Sequence, residues 1–100
     1  MESHMAESAV QSKILKYLKS IGAYTIKTIA TNRAGVPDII ACYKGKFVAI
    51  ECKDEGKLSR LTPLQMQHLS MIQNAGGASL VADSVESVKA FFETELKGLP

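Results

Sequence analysis

Residues 38–43 and 46–53 are two apolar-rich runs parted by Lys44-Gly45, and this pair constrains the fold more than any other segment. Two such runs joined by two residues ending in glycine form a β-hairpin, because the favoured two-residue turns need positive φ to match strand twist. The short turn also sets the register. Tyr43 faces Lys46, Cys42 faces Phe47, and further out Asp38 faces Glu51. A four-residue loop flanked by Cys42 and Phe47 keeps the same register. The chain thus contains an antiparallel sheet, and what remains must cover it.

The covering elements follow from periodicity. Val10, Ile14, Leu18 and Ile21 recur at helical spacing, predicting a helix over 6–21 that Gly22 stops. Residues 23–30, with Tyr24 and several β-branched side chains, read as a strand, and 31–37 as a polar connection. Residues 54–60 form a charged loop. Thr62-Pro63-Leu64-Gln65 then opens a second helix, with a Thr cap, Pro at the first position and Gln three residues on, and Gly76-Gly77 closes it. Ser79–Ala82 is a short strand. Asp83 or Ser84 caps a last helix with the stripe Val85, Val88, Phe92 and Leu96. A strand-helix-strand step favours a parallel neighbour by right-handed crossover. The expectation is an α/β fold of order αβββαβα, with a mixed, roughly four-stranded sheet flanked by helices.

At 100 residues the chain makes a single domain, here residues 5–100, and residues 1–4 read as an expression-tag remnant. No apolar run approaches the ~20 residues of a membrane span, and no signal peptide opens the chain, so a cytoplasmic location is expected. Cys42 and Cys52 fall on opposite faces of the hairpin, which disfavours a disulfide, and no paired cysteine spacing suggests zinc. Charge is unevenly spread. Residues 13–60 hold ten of the twelve Lys and Arg against Asp38, Glu51, Asp54 and Glu55, while 61–100 are net acidic. Such a split fits a surface that meets a polyanion, nucleic acid foremost, and it equally fits lysines placed for solubility.

Chemistry concentrates at the open end of the hairpin. Asp38 and Glu51 oppose one another, and Lys53, two residues beyond Glu51, shares their face. Opposed carboxylates repel unless something neutralises them, and a divalent cation does so. Hard oxygen donors without Cys or His side chains favour Mg²⁺ or Mn²⁺. The alternative reading has Asp38 capping a turn and Glu51 and Lys53 on a solvated strand face, and a bulge would undo the facing.

Gly35-Val36-Pro37-Asp38, the hairpin, Glu51-Cys52-Lys53 and Leu61-Thr62-Pro63-Leu64-Gln65 together resemble the PD-(D/E)xK nuclease superfamily, within it the stand-alone VRR-NUC proteins of bacteriophages. The resemblance spans the chain from Met5. It implies metal-dependent hydrolysis of DNA phosphodiesters, with Asp38, Glu51 and the backbone carbonyl of Cys52 as metal ligands. Lys53 would orient and activate water and neutralise charge on the phosphate. Glu7 matches a glutamate near the start of the first helix that reaches the metal or its waters; an anion favourable in a helix's first turn is the plain alternative. Gln65 matches the helix glutamine but also completes a capping box with Thr62, and one residue is not expected to do both with ease.

Arg33 and the first-helix lysines Lys13 and Lys16 are candidate phosphate contacts, and Lys57 and Arg60 border the site. Any one of them reads equally as a solvated charge. His68 is expected on the semi-exposed side of its helix, and Met66, Met71 and Phe91-Phe92 in the core or a subunit interface. A domain this small, cutting two strands, suggests a C2 homodimer. Relatives suggest branched DNA, a four-way Holliday junction above all, as substrate, with no small-molecule cofactor. The alternatives are a nicking, flap or restriction-type endonuclease, and a non-catalytic DNA-binding module. If the chain is phage-encoded, it would work in the host-cell cytoplasm.

Overall fold

The computed structural model describes residues 4–99. Helix α1 (Glu7–Ser20) leads into β1 (Tyr24–Lys27), β2 (Ile39–Tyr43) and β3 (Lys46–Cys52). Helix α2 (Pro63–Asn74), β4 (Ala78–Ala82) and α3 (Val85–Thr94) follow. The strands form one mixed sheet in the order β1-β2-β3-β4, antiparallel except for the parallel pairing of β3 with β4.

The hairpin has the register its turn dictates. Tyr43 faces Lys46, Cys42 faces Phe47 and Ile39 faces Ile50. Lys44 and Gly45 both have positive φ, 50° and 80°, as a turn that matches strand twist requires.

Alternation along β2 and β3 gives the sheet two unlike faces. On one, Ile39, Ala41, Val48, Ile50 and Cys52 pack against Val10, Ile14 and Leu18 of α1 and Val88 and Phe92 of α3. Val10, Ile14 and Leu18 are fully buried, each worth about 1.5–3 kcal/mol, and their four-residue spacing is what makes 7–20 a helix on this sheet. The other face carries α2, which packs chiefly on β4 and β3. Tyr24 and Ile26 on β1 and Cys42 on β2 are left exposed there.

Three expectations need correction. The first strand ends at Lys27 rather than Ala30: Thr28 turns its hydroxyl to the Pro37 carbonyl at 2.7 Å while its amide still reaches Asp38 O at 2.8 Å, and the chain leaves the sheet. Within the charged loop, Leu58–Arg60 forms a turn of 3₁₀ helix. Met66 and Met71 are exposed, so of their two expected places the core is excluded and a subunit interface is the one left, whereas Phe92 is buried with Phe91 packed edge-on against it. Both cysteines are free, Cys42 exposed and Cys52 buried. Of the expected tag remnant, residues 1–3 lie outside the described residues. Met5 is tied to Glu55 in both directions, its amide to Oε1 at 3.0 Å and its carbonyl to the Glu55 amide at 2.9 Å. No helix among the described residues is long and apolar enough to cross a membrane.

Candidate active site

One step beyond the last paired residues of the hairpin, Asp38 and Glu51 come next in register on the α2 face of the sheet. The backbone explains their closeness. Asp38 turns its carbonyl to β1, accepting from Thr28 N at 2.8 Å, so it makes no ladder bonds to β3. Opposed residues of that kind bring their side chains nearest. The Asp38 carboxylate also crosses to β3, where Oδ2 accepts from the Cys52 amide at 2.8 Å. In extended backbone a residue's N–H and C=O point to the same edge. The Cys52 carbonyl therefore faces the Asp38 side as well. The Cys52 side chain points the other way, into the core, and burial holds its thiol far above the ordinary range, so it offers no thiolate.

Lys53 returns to the α2 face. Its Nζ stands 3.7 Å from Glu51 Oε2 and donates to Gln65 Oε1 at 2.9 Å. Gln65 Nε2 in turn donates to Glu51 Oε2 at 3.1 Å. Glu51, Lys53 and Gln65 thus form a closed ring of contacts beside Asp38.

Gln65 also corrects an expectation. Its Oε1 accepts from the Thr62 amide at 3.0 Å, and its own amide donates to Thr62 Oγ1 at 3.1 Å, a complete capping box. The capping box and the site share this one side chain. An amide oxygen accepts two hydrogen bonds and an amide nitrogen donates two, so one glutamine serves both without competition.

Electrostatics sets the character of the cluster. Glu51 is almost wholly buried, and its pKa is pushed up to about 8, chiefly by that burial and further by the charge and hydrogen bonding of Asp38; Lys53 opposes the rise. Glu51 therefore holds its proton to higher pH than an exposed carboxyl does, in a site it shares with Asp38, Glu7, Lys53 and Gln65. A divalent ion would reverse this, because a +2 charge on two hard carboxylates favours their ionised form. The donor set, two carboxylates and an aligned carbonyl with no Cys or His side chain, fits Mg²⁺ or Mn²⁺.

Glu7 stands at the start of α1, half-buried, near enough for the Asp38 charge to add to burial in raising its pKa. It does not close with Asp38 and Glu51 into a cluster: among the described residues no three His, Cys, Asp or Glu side chains are grouped to hold a metal. A residue missed in the sequence puts Glu7 there. Ala6 at the N-cap offers no side-chain cap, and Asp54 supplies one from across the chain, its Oδ1 accepting from the Glu7 amide at 2.7 Å. Nothing in local spacing signals a cap that comes from 47 residues away.

The remaining candidates divide. Lys57 and Arg60 are exposed on the loop that joins Lys53 to Thr62. Arg33 lines a cavity under α2 with His68, which is buried at 7% exposure rather than semi-exposed. The reason is Gly35: its backbone lies so close to α2 that a Cβ there would fall 2.7 Å from Leu64 Cγ and 3.1 Å from His68 Cδ2. Lys13 and Lys16 line a different groove, with Val85 and Lys89 between α1 and α3, on the opposite face from Glu51. The structure does not bring them to the cluster.

Comparison with known proteins agrees with this architecture. Residues 1–86 match the model of the VRR-NUC domain. The chain is 29% identical over 79 residues to "Putative nuclease p44" of Acyrthosiphon pisum secondary endosymbiont phage 1, covering 78% of this chain and 83% of that one. Two solved structures share the fold. One is titled "VRR_NUC domain", with TM-score 0.78, 21% identity and coverage of 90% of this chain and 97% of that one. The other is titled "VRR_NUC domain protein", with TM-score 0.75, 22% identity and coverage of 95% and 91%.

Proposed function

The chain belongs to the VRR-NUC family of nuclease domains, and from that premise we propose that it is a Mg²⁺- or Mn²⁺-dependent endodeoxyribonuclease selective for branched DNA. The observation that carries this reading is the juxtaposition of Asp38 with Glu51, ringed by Lys53 and Gln65 in a largely buried site.

Asp38, Glu51 and the Cys52 carbonyl would hold the ion, and Glu7 would reach its waters. When bound, such an ion polarises a phosphoryl oxygen and lowers the pKa of its water. The protein's own residues supply the rest. Lys53 presents an ammonium fixed by Gln65, so it meets charge developing on the phosphate without reorganising. Gln65 holds Lys53 and Glu51 at once, and its own position is fixed by the helix cap. Lys57 and Arg60 would grip backbone phosphates next to the cluster, which positions DNA without reading its sequence. Lys13 and Lys16 would touch only an arm of DNA that wraps to the far face.

The exposed apolar row of Tyr24 and Ile26 on the uncovered part of the sheet supports a homodimer, as a patch that a second copy would bury. Two sites related by a two-fold axis suit symmetric cutting of a four-way junction. A panel of end-labelled four-way junction, flap, single-stranded and linear duplex DNA, each with Mg²⁺, Mn²⁺ or EDTA, tests the reading. Paired symmetric cuts in the junction that vanish with EDTA are expected. Preferred cutting of flaps or linear DNA would leave a nuclease but remove the junction assignment, and tight binding without cutting would favour a non-catalytic DNA-binding module.

A further inference from the structure

A cavity of about 320 Å³ opens on the same sheet face as the candidate active site, walled by Arg33, Phe47, His68, Met71, Ile72 and Gly77. That volume lies at the lower end of the range that holds small organic ligands. Its place is fixed from two directions. His68 lies one turn along α2 from Gln65, so the two side chains are neighbours on one helix face. Phe47 lies four residues before Glu51 on β3, on the same side of the strand and about 13 Å away.

Two close backbone approaches shape the walls. A Cβ on Gly77 would fall 2.9 Å from Ile72 Cγ2 and 3.2 Å from the Phe47 carbonyl, and one on Gly35 would meet Leu64 and His68. A side chain at either position would have to displace them. Phe47, at 46% exposure, keeps much of its ring open to solvent. Arg33 is the one lining residue with a fixed charge, and no carboxylate lines the cavity. An aromatic face, an apolar lining and a single guanidinium at the wall match a flat aromatic group joined to an anion.

We propose that this cavity receives an unstacked nucleobase of the substrate strand, its face on Phe47 and its phosphate on Arg33, within about four nucleotides of the bond cut at Asp38 and Glu51. The span of about four follows from dividing the ~13 Å separation by the ~3.4 Å spacing of stacked nucleotides in B-form DNA. The inference rests on the nuclease reading of the site. It deepens that reading by giving shape selection a physical source. Extruding a base from intact duplex costs a few kcal/mol, and least where it is already unpaired. A site that needs such a base beside the scissile phosphate favours branch points without reading sequence.

The test scans a forked DNA carrying 2-aminopurine at successive positions near the branch, bound to the Asp38→Asn protein in Mg²⁺ so that it is not cut. The fluorescence of one position, within four nucleotides of the wild-type cleavage point, is expected to change on binding. Adding Phe47→Ala should abolish that change and weaken binding about fivefold to hundredfold, the range for loss of one base–aromatic stack. Phe47→Leu, which keeps apolar bulk but no ring, should behave as Phe47→Ala does. Arg33→Ala, on an exposed loop, gives an independent arm if changes at Phe47 unfold the chain: it should weaken binding and lower its salt dependence. An equal response at every position, or a response that survives Phe47→Ala, overturns the proposal. So does a Phe47→Ala protein that binds DNA normally but no longer self-associates, since a second copy would then be the occupant. Failure of the nuclease reading shows separately, as wild type that leaves the fork intact with Mg²⁺ or Mn²⁺ whatever the fluorescence does.

Discussion

Gln65 concentrates the chemistry of this protein in one side chain. It closes the cap of α2, accepts from Lys53 and donates to Glu51. Gln65→Ala should therefore lower stability by about 1–3 kcal/mol, because the Gln65 half of the capping box is lost and the buried Lys53 and Glu51 side chains lose a hydrogen-bond partner. Thr62→Ala, which removes only the cap, should cost about 1 kcal/mol. Urea denaturation of the two variants, with cleavage rates alongside, separates the roles: Gln65→Ala should lose activity even where it remains folded, and Thr62→Ala should lose far less. Glu51 makes a pH prediction. Its carboxyl is held up to about 8 in the folded chain against 4.5 when exposed, so the folded state binds the proton more tightly. Between those values the unfolded state holds fewer protons, and stability must fall as pH rises. In EDTA, the urea midpoint should drop from pH 5 to pH 8, and Glu51→Gln should flatten that slope. Added Mg²⁺ should restore stability most at the alkaline end.

At the level of elements, the hairpin was legible because a two-residue turn leaves the register no freedom, and Asp38 opposite Glu51 followed from it. The Thr62–Gln65 cap and the stripes of α1 and α3, apart from Ile21 and Leu96 just past the two helix ends, were legible for the same reason: each is set by neighbours three or four residues apart. What escaped was set by distant contacts. The early end of β1 depends on Thr28 meeting Pro37, the start of α1 on Asp54, and the burial of His68 on the close passage of Gly35 under α2. Gly35, at φ 83°, combines a left-handed backbone with a would-be Cβ 2.7 Å from Leu64. Gly35→Ala should cost more than the ~1 kcal/mol of backbone strain alone and should push α2, with Gln65 on it, away from Glu51. Lower thermal stability together with impaired cleavage is the expected result. A variant that melts early but cuts normally would separate Gly35 from the site.

For the whole molecule, the layering decides which charges matter. Lys57 and Arg60 are exposed on the loop between Lys53 and α2, whereas Lys13 and Lys16 lie across the sheet between α1 and α3. Lys57→Ala with Arg60→Ala should raise KM and reduce the salt dependence of DNA binding by about two in log–log slope. Lys13→Ala with Lys16→Ala should change both much less, unless DNA wraps the helical layer. The exposed row of Tyr24 and Ile26 makes the matching prediction for assembly: Ile26→Lys should shift sedimentation from dimer to monomer while the monomer stays folded. The most direct measurement of all is the single-turnover cleavage rate in Mn²⁺ for wild type, Asp38→Asn, Glu51→Gln and Lys53→Met, with folding of each checked by circular dichroism. Each folded variant should lose about a hundredfold or more, and EDTA should silence the wild type. Cleavage by Asp38→Asn at the wild-type rate, or cleavage that persists in EDTA, would contradict a metal-dependent centre at Asp38 and Glu51.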